Sequence, residues 1–197
     1  MYTRVLQGKE ETLGPKHTST LNTVGNLGLL YSDQGKLAEA EAMYTQALQG
    51  KEEALEPKQT STLSTVNNLG LLYADQDKLA EAEAMYTRAL QGYEEVLGPK
   101  HTSTLQTVNN LGLLYTDQGK LAEAEAMYTR ALQGYEEVLG LNPVSSYIHA
   151  LNIMSNLGNL YLKTWRRQCS RGYCLDSRLY KGLRQIDVEI LNVDWKY

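Results

Sequence analysis

Hydrophobic residues recur along most of the chain in two alternating helical patterns. The first pattern runs from about residue 18 to residue 34. Its apolar and small residues fall three or four positions apart and therefore share one stripe of a helix: Leu21, Val24, Leu27, Gly28 and Tyr31. We call the helix that this pattern predicts helix A.

A second pattern follows from about residue 37 to residue 55, and we call the predicted helix B. Its apolar positions have the same spacing and are separated by glutamates, so the helix has one apolar and one charged face: Leu37, Ala40, Tyr44, Ala47, Leu48 and Leu55. The sequence therefore predicts a pair of helices, each with one face to bury.

Turn residues separate the two patterns. Gly35 suits the left-handed position that ends helix A, and Asp77 replaces this glycine in the next unit at some cost in backbone energy. Pro57 and Pro99 follow helix B. The Thr-Ser-Thr triplets at 18–20, 60–62 and 102–104 offer hydroxyls that would cap the start of the next helix A.

The two patterns repeat with a period of 42 residues. Residues 60–101 match 102–143 at 36 of 42 positions, and 18–59 match 60–101 at 33 of 42. Identity this high indicates recent internal duplication. It divides the chain into units at 15–59, 60–101 and 102–143.

Both ends depart from the repeat. Residues 1–14 align with the second half of helix B, and residues 144–162 form a degenerate fourth helix A displaced by four positions. We expect the chain to be a fragment of a longer array, or its start codon to lie inside a repeat. Poorly capped ends predict a marginally stable protein.

Residues 163–197 form a tail without the repeat, and they contain both tryptophans and both cysteines of the chain. We expect the tail to come from a frameshift or a retained intron, with a genuine functional extension as the alternative. A helix over residues 179–193 would cover the exposed end of the array.

The repeated residues resemble the tetratricopeptide family, whose signature places Leu-Gly, an aromatic residue, Ala, an aromatic residue and Ala at fixed offsets. All three units match: Leu27-Gly28, Tyr31, Ala40, Tyr44 and Ala47; Leu69-Gly70, Tyr73, Ala82, Tyr86 and Ala89; Leu111-Gly112, Tyr115, Ala124, Tyr128 and Ala131. The resemblance implies an all-α fold, a right-handed α-solenoid of helix-turn-helix repeats. The 42-residue period is similar to that of kinesin light chains and of the arrays in fungal NOD-like receptors.

Charge and hydropathy narrow the class of partner. Residues 1–162 contain 11 basic and 19 acidic residues, a net charge of −8, while residues 163–197 contain 8 and 4, a net charge of +4. An acidic array repels phosphates, so we expect no nucleic acid partner. No apolar run approaches the roughly 20 residues that span a bilayer, so we expect no membrane partner and a cytosolic location.

Candidate chemistry is absent from the sequence. Cys169 and Cys174 have no second ligand pair nearby for zinc, and His17, His101 and His149 lie at or near the predicted loops without a nucleophile. Paired glutamates such as Glu52 and Glu53 fall on the charged side of helix B. We therefore predict that the chain is not an enzyme and holds no cofactor or metal.

Differences among the nearly identical units suggest a binding surface. Three of them fall in helix A, at the places of residues 22, 25 and 32 of the first unit, and the resemblance implies that these places face a concave groove. Asparagines there offer both a donor and an acceptor to an extended peptide. The predicted peptide-binding residues are Asn22, Asn26, Ser64, Asn67, Asn68, Gln106, Asn109, Asn110 and Asn156. Free drift of exposed positions is the alternative explanation of the differences, and capping or inter-helix bonding within the solenoid is the alternative role of the asparagines.

These features predict a protein-interaction scaffold whose concave face binds a protein or peptide of unknown identity. Three alternatives stay open: the sensor array of a fungal NOD-like receptor, a cargo adaptor of the kinesin light chain type, and a non-functional gene fragment.

Overall fold

The structure is a computed structural model, and it describes residues 2–54, 59–139 and 143–170. The predicted capping helix at 179–193 lies outside the described residues, as do Leu55 and Pro57. Within the described ranges all regular structure is helical, and the predicted all-α solenoid is confirmed. The helices, numbered in chain order, are α1 (Tyr2–Leu13), α2 (Thr18–Asp33), α3 (Leu37–Ala54), α4 (Thr60–Asp75), α5 (Leu79–Leu97), α6 (Thr102–Asp117), α7 (Leu121–Leu139) and α8 (Pro143–Ser170).

Three complete helix A and helix B pairs form the body of the array: α2 with α3, α4 with α5, and α6 with α7. Each helix B also packs against the helix A that follows it, so the apolar stripes join into one continuous core. Each unit thus buries its core only with the help of its neighbours, as expected for a solenoid.

Two glycines in each unit allow the paired helices to interlock. A Cβ added to Gly70 of α4 would lie 2.8 Å from the ring of Tyr86 in α5. A Cβ added to Gly92 of α5 would collide with the side chain of Leu63 in α4. The first and third units repeat both contacts, so helix A carries a glycine beneath a tyrosine and helix B carries one beneath a leucine.

The turn between the helices follows the sequence prediction. Gly35 has a φ of 72°, and the backbone N–H groups of Gly35 and Lys36 donate to the carbonyls of Ser32 and Tyr31. These two bonds form a Schellman motif. Asp77 keeps the same motif at a φ of 61°, a conformation that costs an aspartate more than a glycine.

The start of helix A differs from the prediction. Helix α2 begins at Thr18, and the residue that caps it is His17, whose Nδ1 accepts from the backbone N–H of Ser19. His101 caps α6 in the same way. The threonine hydroxyl instead bonds backward, since Thr20 donates to the carbonyl of Gly14. Two of the histidines predicted to be loop residues therefore have a structural task.

A buried lysine marks the joint between the first and second units. Lys51 of α3 is 4% exposed, and its amine donates to the carbonyl of Ser61 and to the hydroxyl of Thr65. Neither acceptor is charged. Burial accordingly lowers the pKa of Lys51 to about 8. Buried tyrosines, Tyr93 and Tyr135, take this place in the next two units.

The two ends of the array also depart from the complete units. Helix α1 packs against α2 but has no helix A before it among the described residues. Helix α8 packs against α6 and α7 as a fourth helix A, and it continues to Ser170, eight residues past the unit boundary expected at 162.

We predict that Gly70→Ala destabilises the protein by about 1–3 kcal/mol, because the added methyl has no room beside the buried Tyr86 ring. Gly25→Ala is the matched control. Gly25 is also inside a helix, but its Cβ would meet nothing within 4 Å, so the change stabilises by up to about 1 kcal/mol. Urea unfolding followed by circular dichroism measures both; shifts of the same sign would contradict the interlock.

We predict that Lys51→Tyr raises the melting temperature by a few degrees at pH 7, because a buried charge is replaced by the residue used in the other units. The stability of the wild type should also increase as the pH is raised from about 8 to about 10. In this window folded Lys51 has lost its proton, whereas the unfolded chain, with a pKa near 10.5, still binds it.

Thermal melts of both proteins across this pH range test the prediction. The variant should lack the rise that the wild type shows. Equal pH dependence in the two proteins would mean that Lys51 does not titrate in this window.

Candidate protein-binding surface

Helices A form the inner side of the array. Among the described residues, Cα atoms of neighbouring helices A approach within 8 Å, at α2 with α4, α4 with α6, and α6 with α8. Neighbouring helices B make no such approach. A stack that is tighter on one side curves toward it, so the surface of helices A is concave.

The nine predicted binding residues all lie on helices A. Asn22, Asn26, Ser64 and Gln106 are exposed, while the others are partly buried. The partly buried members are Asn67, Asn68, Asn109, Asn110 and Asn156. Some of these residues bond to a residue of a neighbouring unit, and the others do not. The predicted set therefore contains two groups.

Asparagines join the later units across the concave surface. The carbonyl oxygen of Asn67 accepts from the hydroxyl of Thr107 at 3.2 Å and from the amide of Asn110 at 3.4 Å. One unit later, the amide of Asn156 donates to Asn109 at 3.1 Å. Four of the predicted residues therefore also hold neighbouring helices A together, a role that the sequence alone left open.

The first joint lacks this connection. Gly25 stands where Asn67 and Asn109 stand in the later units, so this position of α2 has no side chain that could accept a hydrogen bond from Asn68. The exposed side chains of α2 and the amide of Asn68 therefore bond less to neighbouring units than the side chains of α6 do.

A groove opens where α4, α6 and α8 meet, with a volume of about 250 Å³. The predicted Asn67, Gln106, Asn109 and Asn110 line it, and the structure adds Tyr135, His149, Asn152 and Ile153. His149 belongs to α8, where its Nε2 lies 2.6 Å from the Gln106 amide nitrogen and its ring 5.4 Å from that of Tyr135. The sequence placed this histidine near a loop because its equivalents, Ser61 and Ser103, lie at the start of helix A, whereas α8 begins six residues before His149.

The joints between units also carry a charged network that sequence reasoning missed. Glu41 of α3 accepts from the Gln76 amide at 3.0 Å and from the Lys78 amine at 3.2 Å, both in the next unit. The hydrogen bond from Gln76, followed by those from Lys78 and Tyr73, lowers the pKa of Glu41. Glu83 repeats this arrangement with Gln118 and Lys120. The sequence signal that could have revealed this network is a spacing of 35 residues, which occurs twice, between a glutamate of one unit and a glutamine of the next.

The concave surface itself carries few charges. Helices α2, α4 and α6 contain no basic residue, and each has one acidic residue, the aspartate at its C-terminal end. Helices B carry most of the acidic residues and pair with one another through Arg88–Glu52 and Arg130–Glu94. None of the described helices is long and apolar enough to cross a membrane.

We predict that Asn67→Ala lowers the free energy of unfolding by about 0.5–1.5 kcal/mol, because Thr107 and Asn110 lose their shared acceptor. Asn22→Ala is the control, since Asn22 is exposed on the same face. Chemical denaturation of both variants measures the difference. If both leave the midpoint unchanged, the asparagine bonds do not stabilise the joint.

A model of the tetratricopeptide repeat matches this chain over residues 1–53 and 61–137, well over half of its length. A comparison with curated proteins finds no match.

Solved structures share the architecture over nearly the whole chain. BtubC (BKLC) from P. vanneervenii is 22% identical, with a TM-score of 0.75, and the match covers 97% of this chain and 72% of that one. A kinesin light chain-like protein of Podospora anserina with nearly identical TPR-like repeats is 19% identical, with a TM-score of 0.69, over 97% of this chain and 86% of that one. A single-residue variant of that protein is also 19% identical, with a TM-score of 0.70, over 96% and 85%. At these identities the likeness shows the fold alone.

Proposed function

Because this chain belongs to the tetratricopeptide repeat family, whose repeats mediate protein–protein interaction, we propose that it is a scaffold that binds a partner protein along its concave surface. The ligand is an extended peptide or a helix that lies across helices A. The binding residues are the nine predicted from the sequence, together with His149 and Asn152 from the groove. We propose a cytosolic location for this interaction.

One observation is the strongest support for the concave surface as the binding site. Helices α5 and α7 are identical in sequence, whereas α4 and α6 differ at two places, Ser64 against Gln106 and Ala74 against Thr116. The second and third units thus vary in helix A and not in helix B, as expected where helix A contacts a ligand of uneven chemistry. Between the first and second units, helix A and helix B each differ at three places.

The chemistry of this surface favours recognition by hydrogen bonds. Side-chain amides present a donor and an acceptor, which suits the backbone of an extended peptide. The absence of basic residues from α2, α4 and α6 argues against acidic or phosphorylated partners. A receptor array and a cargo adaptor would both use this surface, so the proposal applies to either.

The test is a selection of random peptides displayed on phage against the immobilised full chain. We expect enriched peptides whose affinity changes little between low and high salt, because few charges lie on the surface. Asn26→Arg and Asn68→Arg should each weaken the enriched peptides at least about tenfold, a loss of about 1.4 kcal/mol.

Ala84→Arg and Thr87→Arg are the matched controls, because they place the same side chain on the exposed face of α5. These controls should bind as the wild type does. Binding lost in the controls but kept in the concave variants would move the site to helices B. No enrichment on a folded chain would favour the non-functional fragment.

A further inference from the structure

Each end of the array exposes apolar side chains on one face of its helix. On α8, Leu151 is 52% exposed, although its equivalents Leu63 and Leu105 are 2% and 1% exposed. On α1, Tyr2 is 43% exposed, although its equivalent Tyr44 is 2% exposed. The uncovered face of α8 is the side where a complete unit places helix B, and that of α1 is the side where it places helix A.

The interlocking glycines are open at these two ends. A Cβ on Gly158 of α8 would meet nothing within 4 Å, while the equivalent Gly112 lies beneath the Tyr128 ring. A Cβ on Gly8 of α1 would also meet nothing, while the equivalent Gly92 lies beneath Leu63. Among the described residues, α8 thus has no tyrosine from a helix B over Gly158, and α1 has no leucine from a helix A over Gly8.

Each end supplies what the other lacks. Residues 1–14 match 85–98 at 11 of 14 positions, so α1 carries Tyr2 and Gly8 at the spacing by which Tyr86 and Gly92 grip α4. Helix α8 carries Leu151 and Gly158 at the spacing of Leu63 and Gly70.

The apolar side chains between these contacts are also compatible. Val5 replaces the buried alanine of the complete units, and Met154 of α8 replaces the valine that faces it there. Methionine is flexible enough to accommodate the larger neighbour.

We infer that the α1 helix of one copy of this chain docks on the uncovered face of α8 in a second copy. The contact places Tyr2 over Gly158 and Leu151 over Gly8, and it completes a fourth helix A and helix B pair across the two molecules. The occupant of the α8 face is therefore a second copy of the chain, recognised by the same packing that joins the helices within each unit.

The two surfaces in this contact are different, so the association is head to tail. A docked pair still exposes one free α1 and one free α8, and a third copy adds to either. The array of repeats then continues from one molecule into the next with an uninterrupted apolar core.

Sedimentation velocity of the full chain tests the inference. The monomer has a mass of 22.1 kDa, and the average mass should rise continuously with concentration beyond twice that value. Gly158→Leu and Gly8→Leu each fill one of the open glycines, and each variant alone should remain monomeric. Gly25→Leu is the matched control, because Gly25 is an equally open helical glycine away from both ends; it should associate as the wild type does.

Mixing the two blocked variants provides the decisive measurement. The Gly158→Leu variant keeps a working α1 and the Gly8→Leu variant keeps a working α8, so the mixture should form dimers and nothing larger. A wild type that stays monomeric up to about 1 mM would overturn the inference, whether its own tail or another protein covers α8. Blocked variants that still associate alone, or that do not pair when mixed, would also overturn it.

Discussion

The array depends on the close approach of the two helices in each unit. Gly70 admits the ring of Tyr86, and Gly92 admits the side chain of Leu63, so two contacts a little under about two helical turns apart fix both the distance and the register of the pair. Glycine inside a helix costs about 1 kcal/mol in helix propensity, and each unit carries two such residues. The tyrosine and leucine that they admit are almost fully buried, which offsets this cost.

Because the packing of helix A on helix B is fixed within each unit, the contacts between units can differ in their chemistry. On one edge, Glu41 bonds to Gln76 and Lys78 of the next unit, and Glu83 repeats the arrangement. On the concave side, the joints differ: asparagines bridge the later ones and Gly25 leaves the first without a bridge. The units therefore share one internal architecture, while the joints between them vary.

The sequence predicted the helices, their pairing and the left-handed turn residues, because these features rest on periodic patterns within one unit. It missed His17 as a cap because a histidine is an uncommon choice, and because the threonine hydroxyls nearby offered the more usual one. It placed the nine candidate residues on helices A but left open the second role of Asn67 and Asn109. Side chains that bond across a joint have partners about 40 residues away, and no local pattern reveals them.

The missing asparagine at the first joint has a mechanical consequence. Straightening a curved array pulls its concave side apart, and the side-chain bridges between α4, α6 and α8 resist that pull. Between α2 and α4 the bridge is absent, and the core of the same joint contains the amine of Lys51 where a tyrosine ring would pack. Under tension the array should therefore extend first at this joint, near its N-terminal end, while the later joints remain stiff.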